Sequence, residues 1–240
     1  MKLSKKEWLV VLTLIIICFT IDPVYAGPGG TVAKAFFRTW WGKLILILLT
    51  VIFLPLIIYM RLIAYRKARE IKKILAQLSK EHKAFHWLQL QKEFHNIIRR
   101  VYQAWQEEDL SQVKQYVNHW YWQNQQEVYL DRWKKENLQN ISRLKDITKV
   151  RPLYLEISEE PNFENSRIAI AITVVAEDYL IDRETQKVVE GKKGYDELDY
   201  VWFLEYTEGQ WLLDDIQEGS MALEIAKMPN EVPEYLVAKA

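Results

Sequence analysis

Cysteine is nearly absent: Cys18 is the only one in 240 residues. It lies in a leader-like segment, so no disulfide framework or thiolate metal site is expected in the mature chain. Glycine numbers only eight, and its one cluster, Gly27-Pro28-Gly29-Gly30, precedes an apolar run instead of a strand-to-helix turn. That placement excludes a phosphate-cradling loop. Histidine is scarce as well, four in all. His82 and His86 are four apart on a predicted helix, but they have no third ligand and no HExxH-type glutamate between them; His95 and His119 are isolated. Neither a metal nor any other cofactor is therefore expected. Spacing supports no Ser-His-Asp or Cys-His set either.

Net charge is also missing, with 32 Lys+Arg against 32 Asp+Glu. The balance conceals a polarity. Residues 61–100 carry 11 basic and 3 acidic side chains, whereas residues 151–240 carry 8 basic and 20 acidic ones. A basic segment of this kind suits anionic headgroups, at about 1 kcal/mol per basic residue near the surface. The acidic remainder would repel RNA, which disfavours a nucleic-acid partner.

What the chain does have is a long apolar run. Residues 44–60 contain no charge; Trp40 and Trp41 precede them and Arg61 follows. With its flanks the run approaches the ~20 residues needed to cross a bilayer core of about 30 Å. Tandem Trp suits an interface, and Pro55 is tolerated inside a membrane helix. A transmembrane helix is predicted over 43–62. Residues 1–26 read as a secretory signal, or as an uncleaved first span, with Val24-Tyr25-Ala26 at the cleavage position, and 27–42 as a short external linker. Arg61, Arg66, Lys67, Arg69, Lys72 and Lys73 outweigh Lys34, Arg38 and Lys43 across the span, which places the C-terminal bulk on the cytoplasmic side. Trp40, Trp41 and those six basic residues are the expected lipid contacts.

Beyond the span one helix is predicted from 62 to about 105. Ile71, Ile74, Leu75 and Leu78 form an apolar stripe, and Trp87, Leu90, Phe94, Ile97, Val101 and Ala104 continue it. Residues 63–84 form a basic juxtamembrane helix, and residues 65–90 are either a free stalk or a partner site, which leaves room for a homo-oligomer. Asp109 can cap a short helix over 110–117, and a Trp-rich helix over 119–137 follows. The period then changes to two. Leu153, Leu155 and Ile157 alternate with polar residues, and Ile168, Ile170, Ile172 and Val174 alternate with Ala169, Ala171, Thr173 and Val175. A polar turn at 182–187 leads to 188–191, and residues 198–206 and 211–217 flank a hairpin at 207–210. Helices first and antiparallel strands second predict an α+β domain. Pro229 and Pro233 limit the 220–240 tail to one short turn near 221–227.

Phe94, Ala104-Trp105 with Asp109-Leu110, Ala176-Glu177-Asp178-Tyr179 with Asp182, Thr185, Val188-Val189 and Gly191, then Gly209-Gln210-Trp211-Leu212-Leu213 with Ile216, together resemble the Tim-forty-four-like domain family over roughly 85–219. The resemblance implies a cone similar to the nuclear transport factor two and cystatin-like folds, in which helices are wrapped by a strongly bent antiparallel sheet. It implies an apolar pocket between them and a membrane-associated, non-catalytic scaffold in the bacterial branch, linked to protein transport or membrane assembly. Where relatives show Trp-x-Phe-x-Arg, this chain reads Val201-Trp202-Phe203-Leu204-Glu205, so contacts of that arginine are not carried over. Phe94, Ile98, Tyr102, Trp105, Tyr154, Trp202, Phe203 and Trp211 are the candidate pocket or partner-binding residues.

The resulting expectation is a single-pass protein of the bacterial inner membrane whose cytoplasmic domain binds an unidentified membrane or cytoplasmic protein partner, or lipid. Two alternatives stand beside it. One is a cavity enzyme of the isomerase or dehydratase type, which would need Asp178, Asp199, Asp214 or Asp215 to turn inward and shift its pKa. The other is a ribosome-to-membrane tether.

Overall fold

The computed structural model describes residues 39–80 and 82–237. The expected signal at 1–26 and most of the linker lie outside them. The chain divides at Leu62/Ile63 into two units.

Helix α1 is Trp40–Leu78. In the first unit it opens on Thr39, whose Oγ1 accepts from the Gly42 amide at 3.0 Å, and Trp40 meets Trp41 edge-on at 5.1 Å. Its apolar window has a mean hydropathy of 2.6 and none of it is buried. An all-round hydrophobic helix without protein cover is not a soluble core helix. It is compatible with a membrane anchor or a signal segment.

The second unit begins with the remainder of α1. Ala68, Ile71, Ile74, Leu75 and Leu78 are all buried, Ile71 and Leu75 completely, and the last four share a core cluster with Phe85, Leu90 and Phe94 of the following segment. The stripe thus packs into the protein's own core and is not a free stalk. The helix also does not run on to 105. It stops at Leu78, a 3-10 turn covers Lys83–Phe85, and α2 spans Trp87–Gln106. The break has a packing cause. A straight continuation would carry the second apolar stripe away from the first, whereas the turn lets both enter one core and buries Phe85 among Phe163, Tyr206 and Trp211.

Asp109 caps the next turn, accepting from the Ser111 amide at 3.0 Å, as its residue type predicts. That turn is short and 3-10, Leu110–Val113. The Trp-rich helix is α3, His119–Gln125, joined to α4, Asp131–Lys135, through a π turn at Gln126–Leu130. The Gln126 side chain fastens this turn, accepting from the Leu110 amide at 2.9 Å and donating to Asp131 at 2.8 Å. Asn137, with φ of 58°, then reverses the chain directly into the sheet.

Five antiparallel strands follow: β1 Leu138–Glu156, β2 Ser166–Asp182, β3 Val188–Gly191, β4 Asp196–Thr207 and β5 Gln210–Glu218. The order is β1-β2-β4-β5, with β3 also on β2. The domain is α+β, as the sequence predicts. Strand β1 carries register shifts between Leu144 and Asp146, Ile147 and Lys149, and Pro152 and Tyr154. Each bulge adds twist and bend. The shift at Pro152 also corrects the alternation: Leu155 and Ile157 face the helices, but Leu153 joins Tyr154 in a separate cluster. On β2 the large residues Ile168, Ile170, Ile172 and Val174 face the helical core, while Ala169 belongs to the other cluster with Val201, Ile225 and Ala226.

The tail contributes to both faces, with Ile225 and Ala226 in the second cluster and Leu236 in the helical core. Helix α5 is Ala222–Lys227 and α6 is Glu234–Val237. Between them Glu231 pairs with the end of β1, where the Ile157 amide donates to the Glu231 carbonyl at 2.7 Å. This covers part of an edge that would otherwise remain open.

Candidate functional site: an aromatic pocket between helices and sheet

A cavity of about 220 Å³ opens between the helices and the side of the sheet that faces them. Helix α2 contributes Val101, Tyr102 and Trp105; the α3–α4 segment contributes Gln125, Tyr129 and Trp133; β1, β2, β4 and β5 contribute Asn140, Ser142, Asp178, Tyr200, Trp202 and Ile216. The aromatic wall is a mutually packed triad. Trp105 lies 6.4 Å from Tyr129 and 6.2 Å from Trp133, and Tyr129 lies 5.6 Å from Trp133. Ring pairs at these separations gain from their geometry beyond burial alone. Tyr129 belongs to the π turn, a feature that often marks functional segments.

Polar clamps hold this end of the domain. Asn140 donates from its backbone to Glu108 Oε1 at 3.0 Å and from its side chain to the Trp105 carbonyl at 3.1 Å. The Ser142 amide donates to Gln106 Oε1 at 3.0 Å. Glu108, in the left-handed region at φ 56°, also forms an ion pair with Arg183. The C-terminal end of α2 is thereby tied to β1 and to the turn after β2. The Trp202 indole N–H is buried and has no acceptor among the described residues, an arrangement that calls for an explanation in a folded protein.

Asp178 stands at the mouth of the pocket. The residue as a whole is exposed, yet protein surrounds its carboxylate on several sides. This partial desolvation raises its pKa above the ordinary carboxylate value, against the lowering effect of the Tyr200 hydroxyl, which donates to it at 3.2 Å. Burial pushes the Tyr200 and Tyr102 phenols upward, and the negative charge of Asp178 adds to that. The other three strand carboxylates do not line the pocket. Asp199 accepts from Thr173 at 2.6 Å, Asp214 from Asn118 and Trp120 at 2.7 and 2.9 Å, and Asp215 from Gln217 at 3.1 Å.

Of the eight pocket residues expected from sequence, Tyr102, Trp105 and Trp202 line the cavity. Phe94, Ile98 and Trp211 are buried core behind it. Tyr154 and Phe203 lie in the cluster on the opposite face of the sheet, because strand alternation directs Phe203 away from its neighbour Trp202. Sequence reasoning left Tyr129, Asn140, Ser142 and Tyr200 out of the site. The spacing of four between Tyr129 and Trp133 was the available signal for the first.

Among the expected lipid contacts, Trp40, Trp41, Arg61, Arg66, Arg69, Lys72 and Lys73 are exposed, but Lys67 is not. It is only 8% exposed, and its Nζ donates to the Met228 carbonyl at 2.5 Å. Burial lowers its pKa, opposed by the charge of Glu70. Lys67 is a structural tie to the tail and leaves the lipid-contact set. His82 and His86 flank a 3-10 turn in extended conformation and do not share a helix face. Among the described residues no group of three or more His, Cys, Asp or Glu is placed to hold a metal.

No family model matches the chain, and no curated protein does. Among solved structures, the intermembrane space region of the chloroplast protein ARC6 superposes with a TM-score of 0.36 at 7% identity, over 53% of this chain and 94% of that one.

Proposed function

We propose that this protein is a membrane-tethered, non-catalytic binding module of the Tim-forty-four-like kind. The apolar part of α1 anchors it in a bacterial inner membrane as a single pass, with the α+β domain on the cytoplasmic side. The observation that carries the reading is the aromatic pocket, built on a chain that also presents an uncovered apolar helix. At about 220 Å³ the cavity falls below the roughly 300–1,000 Å³ of drug-sized sites. It suits one large apolar side chain of a partner protein or a short acyl segment, with the Trp202 N–H and the Asn140 and Ser142 side chains as polar guides. The bulged, twisted sheet is in keeping with the cone that the family resemblance implies. The exposed Arg61, Arg66 and Arg69 would contact anionic headgroups.

A reporter fused after residue 240 tests the tether: cytoplasmic activity supports it, and periplasmic activity ends it. A photoreactive residue at position 129 tests the pocket by capturing whatever occupies it.

One observation favours a second reading. Asp178, Tyr200 and Tyr102 together make a hydrogen-bonded group at the pocket mouth, with the pKa of the carboxyl raised by burial. A cavity isomerase of this type would exchange substrate protons with solvent. Incubating a panel of enolisable ketones in deuterated water tests it. Deuterium incorporation that disappears in Asp178→Asn supports acid–base catalysis, and no incorporation above background removes it.

A further inference from the structure

A second concavity, of about 650 Å³, lies between the latter half of α1 and β1. Arg69, Lys72 and Lys73 line it from α1, and Lys149 and Arg151 line it from β1. No Asp or Glu contributes to its wall. Among the described residues, Arg69, Lys72, Lys149 and Arg151 take part in no ion pair.

The arrangement is costly for the empty protein. Like charges gathered in one cleft repel one another, and the partial burial of Lys72 weakens the screening by water there. Lys72 records that stress: its pKa is lowered first by burial and then by the charge of Arg151. Its ammonium also sits 4.9 Å over the Trp87 ring, which fixes it in place. The strand half of the cleft follows from strand alternation. Lys149 and Arg151 are two apart on a stretch of β1 that pairs with β2 in regular register, so alternation puts both on one face, and the irregularity between Ile147 and Lys149 lets Thr148 join the same wall. Lys149 and Arg151 lie outside the basic 61–100 segment, and Arg151 opens the strongly acidic 151–240 region.

We propose that this cleft binds a ligand carrying clustered phosphate groups, recognised by Arg69, Lys72, Lys149 and Arg151. Two guanidinium forks can each take a phosphate through paired N–H donors, and the lysines add point charges. No carboxylate among the described residues lines the cleft to compete with the anion. The chemistry is the same for a phospholipid headgroup and for a soluble phosphorylated compound. The proposal extends the headgroup contact of the tethered reading from a helix face to a cleft, and it adds two residues from β1 that lie far from the apolar run in sequence.

The experiment uses the full chain in nanodiscs of phosphatidylcholine, with inorganic pyrophosphate as the probe and calorimetry as the readout. The expected result is saturable, salt-sensitive binding that weakens about 10- to 30-fold in Lys149→Gln/Arg151→Gln, as loss of two charges near a phosphate predicts. The charge-preserving pair Lys149→Arg/Arg151→Lys should retain most of the affinity, which separates recognition from folding. Lys134→Gln/Lys135→Gln, exposed on α4 and outside the cleft, should bind pyrophosphate like the wild type. A second arm repeats the titration in nanodiscs containing phosphatidylglycerol. A lower apparent affinity there identifies the headgroup as the occupant, and an unchanged affinity identifies a soluble phosphate. No pyrophosphate binding in neutral discs, or equal losses in the cleft and Lys134/Lys135 variants, overturns the cleft. Crosslinking at position 129 reads the aromatic pocket instead, so either proposal can fail while the other stands.

Discussion

Replacing Phe85 by alanine removes the ring that docks the turn between α1 and α2 onto the sheet. Phe85 is 1% exposed and packs against Phe163 at 5.6 Å, Tyr206 at 5.2 Å and Trp211 at 5.8 Å. Truncating a core Phe to Ala costs about 3–5 kcal/mol, and lost ring geometry pushes the value toward the upper end. We therefore expect a loss of about 4–5 kcal/mol. For a domain of this size, each kcal/mol lowers the melting temperature by about 2–4 °C, so the shift should be on the order of 10–15 °C. Phe85→Leu keeps most of the apolar volume and should lose about 1–2 kcal/mol. Thermal unfolding of the full chain in detergent, followed by near-UV circular dichroism, isolates tertiary packing from helix content. A shift below about 3 °C for Phe85→Ala would refute the docking of this turn. The basic half of α1 would then be a stalk after all.

Three further perturbations probe the pocket and its supports. Asp178→Asn should raise the melting temperature near neutral pH, because a carboxyl whose folded pKa is raised contributes stability only while it is protonated; the gain should vanish below the ordinary Asp value of about 3.9, and melting curves at both pH values check it. Gly191→Ala should destabilise by about 1–3 kcal/mol in chemical denaturation, since Gly191 has φ +79° and an added Cβ would meet the Asp178 carbonyl and Tyr179 at 2.8 Å. Lys67→Ala should cost about 1–3 kcal/mol by orphaning the Met228 carbonyl, and limited proteolysis should cut the tail faster, whereas Lys67→Met keeps the stem packing and should lose less.

The large periodic features of this fold were legible in the sequence, and the local irregularities were not. The 3.6-residue stripe from Leu90 to Ala104 and the two-residue alternation from Ile168 to Val174 are set by which side chains must leave water, so both were readable. The hairpin at Glu208-Gly209 was readable because a short loop with both residues at positive φ calls for glycine. The break after Leu78 was not, because residues 71–104 remain periodic through it and only the need to bury Phe85 decides the turn. The long first half of β1 was also missed, since Asn137 reverses the chain without a glycine or proline and Arg143, Lys145 and Asp146 interrupt the apolar pattern. The site followed the same rule. Tyr102, Trp105 and Trp202 could be placed from helix and strand period, but Tyr129 depends on a π turn and Tyr154 on a bulge, which are tertiary outcomes.

The central claim is that a membrane-held domain uses its aromatic pocket to bind an apolar segment of a partner or lipid. Its most direct test is photo-crosslinking from position 129 of the full chain in native membranes, with Ser142→Phe as the filled-pocket control. The account predicts a discrete adduct in the membrane fraction that disappears when the pocket is filled. No adduct, or one that persists unchanged in Ser142→Phe, would contradict it.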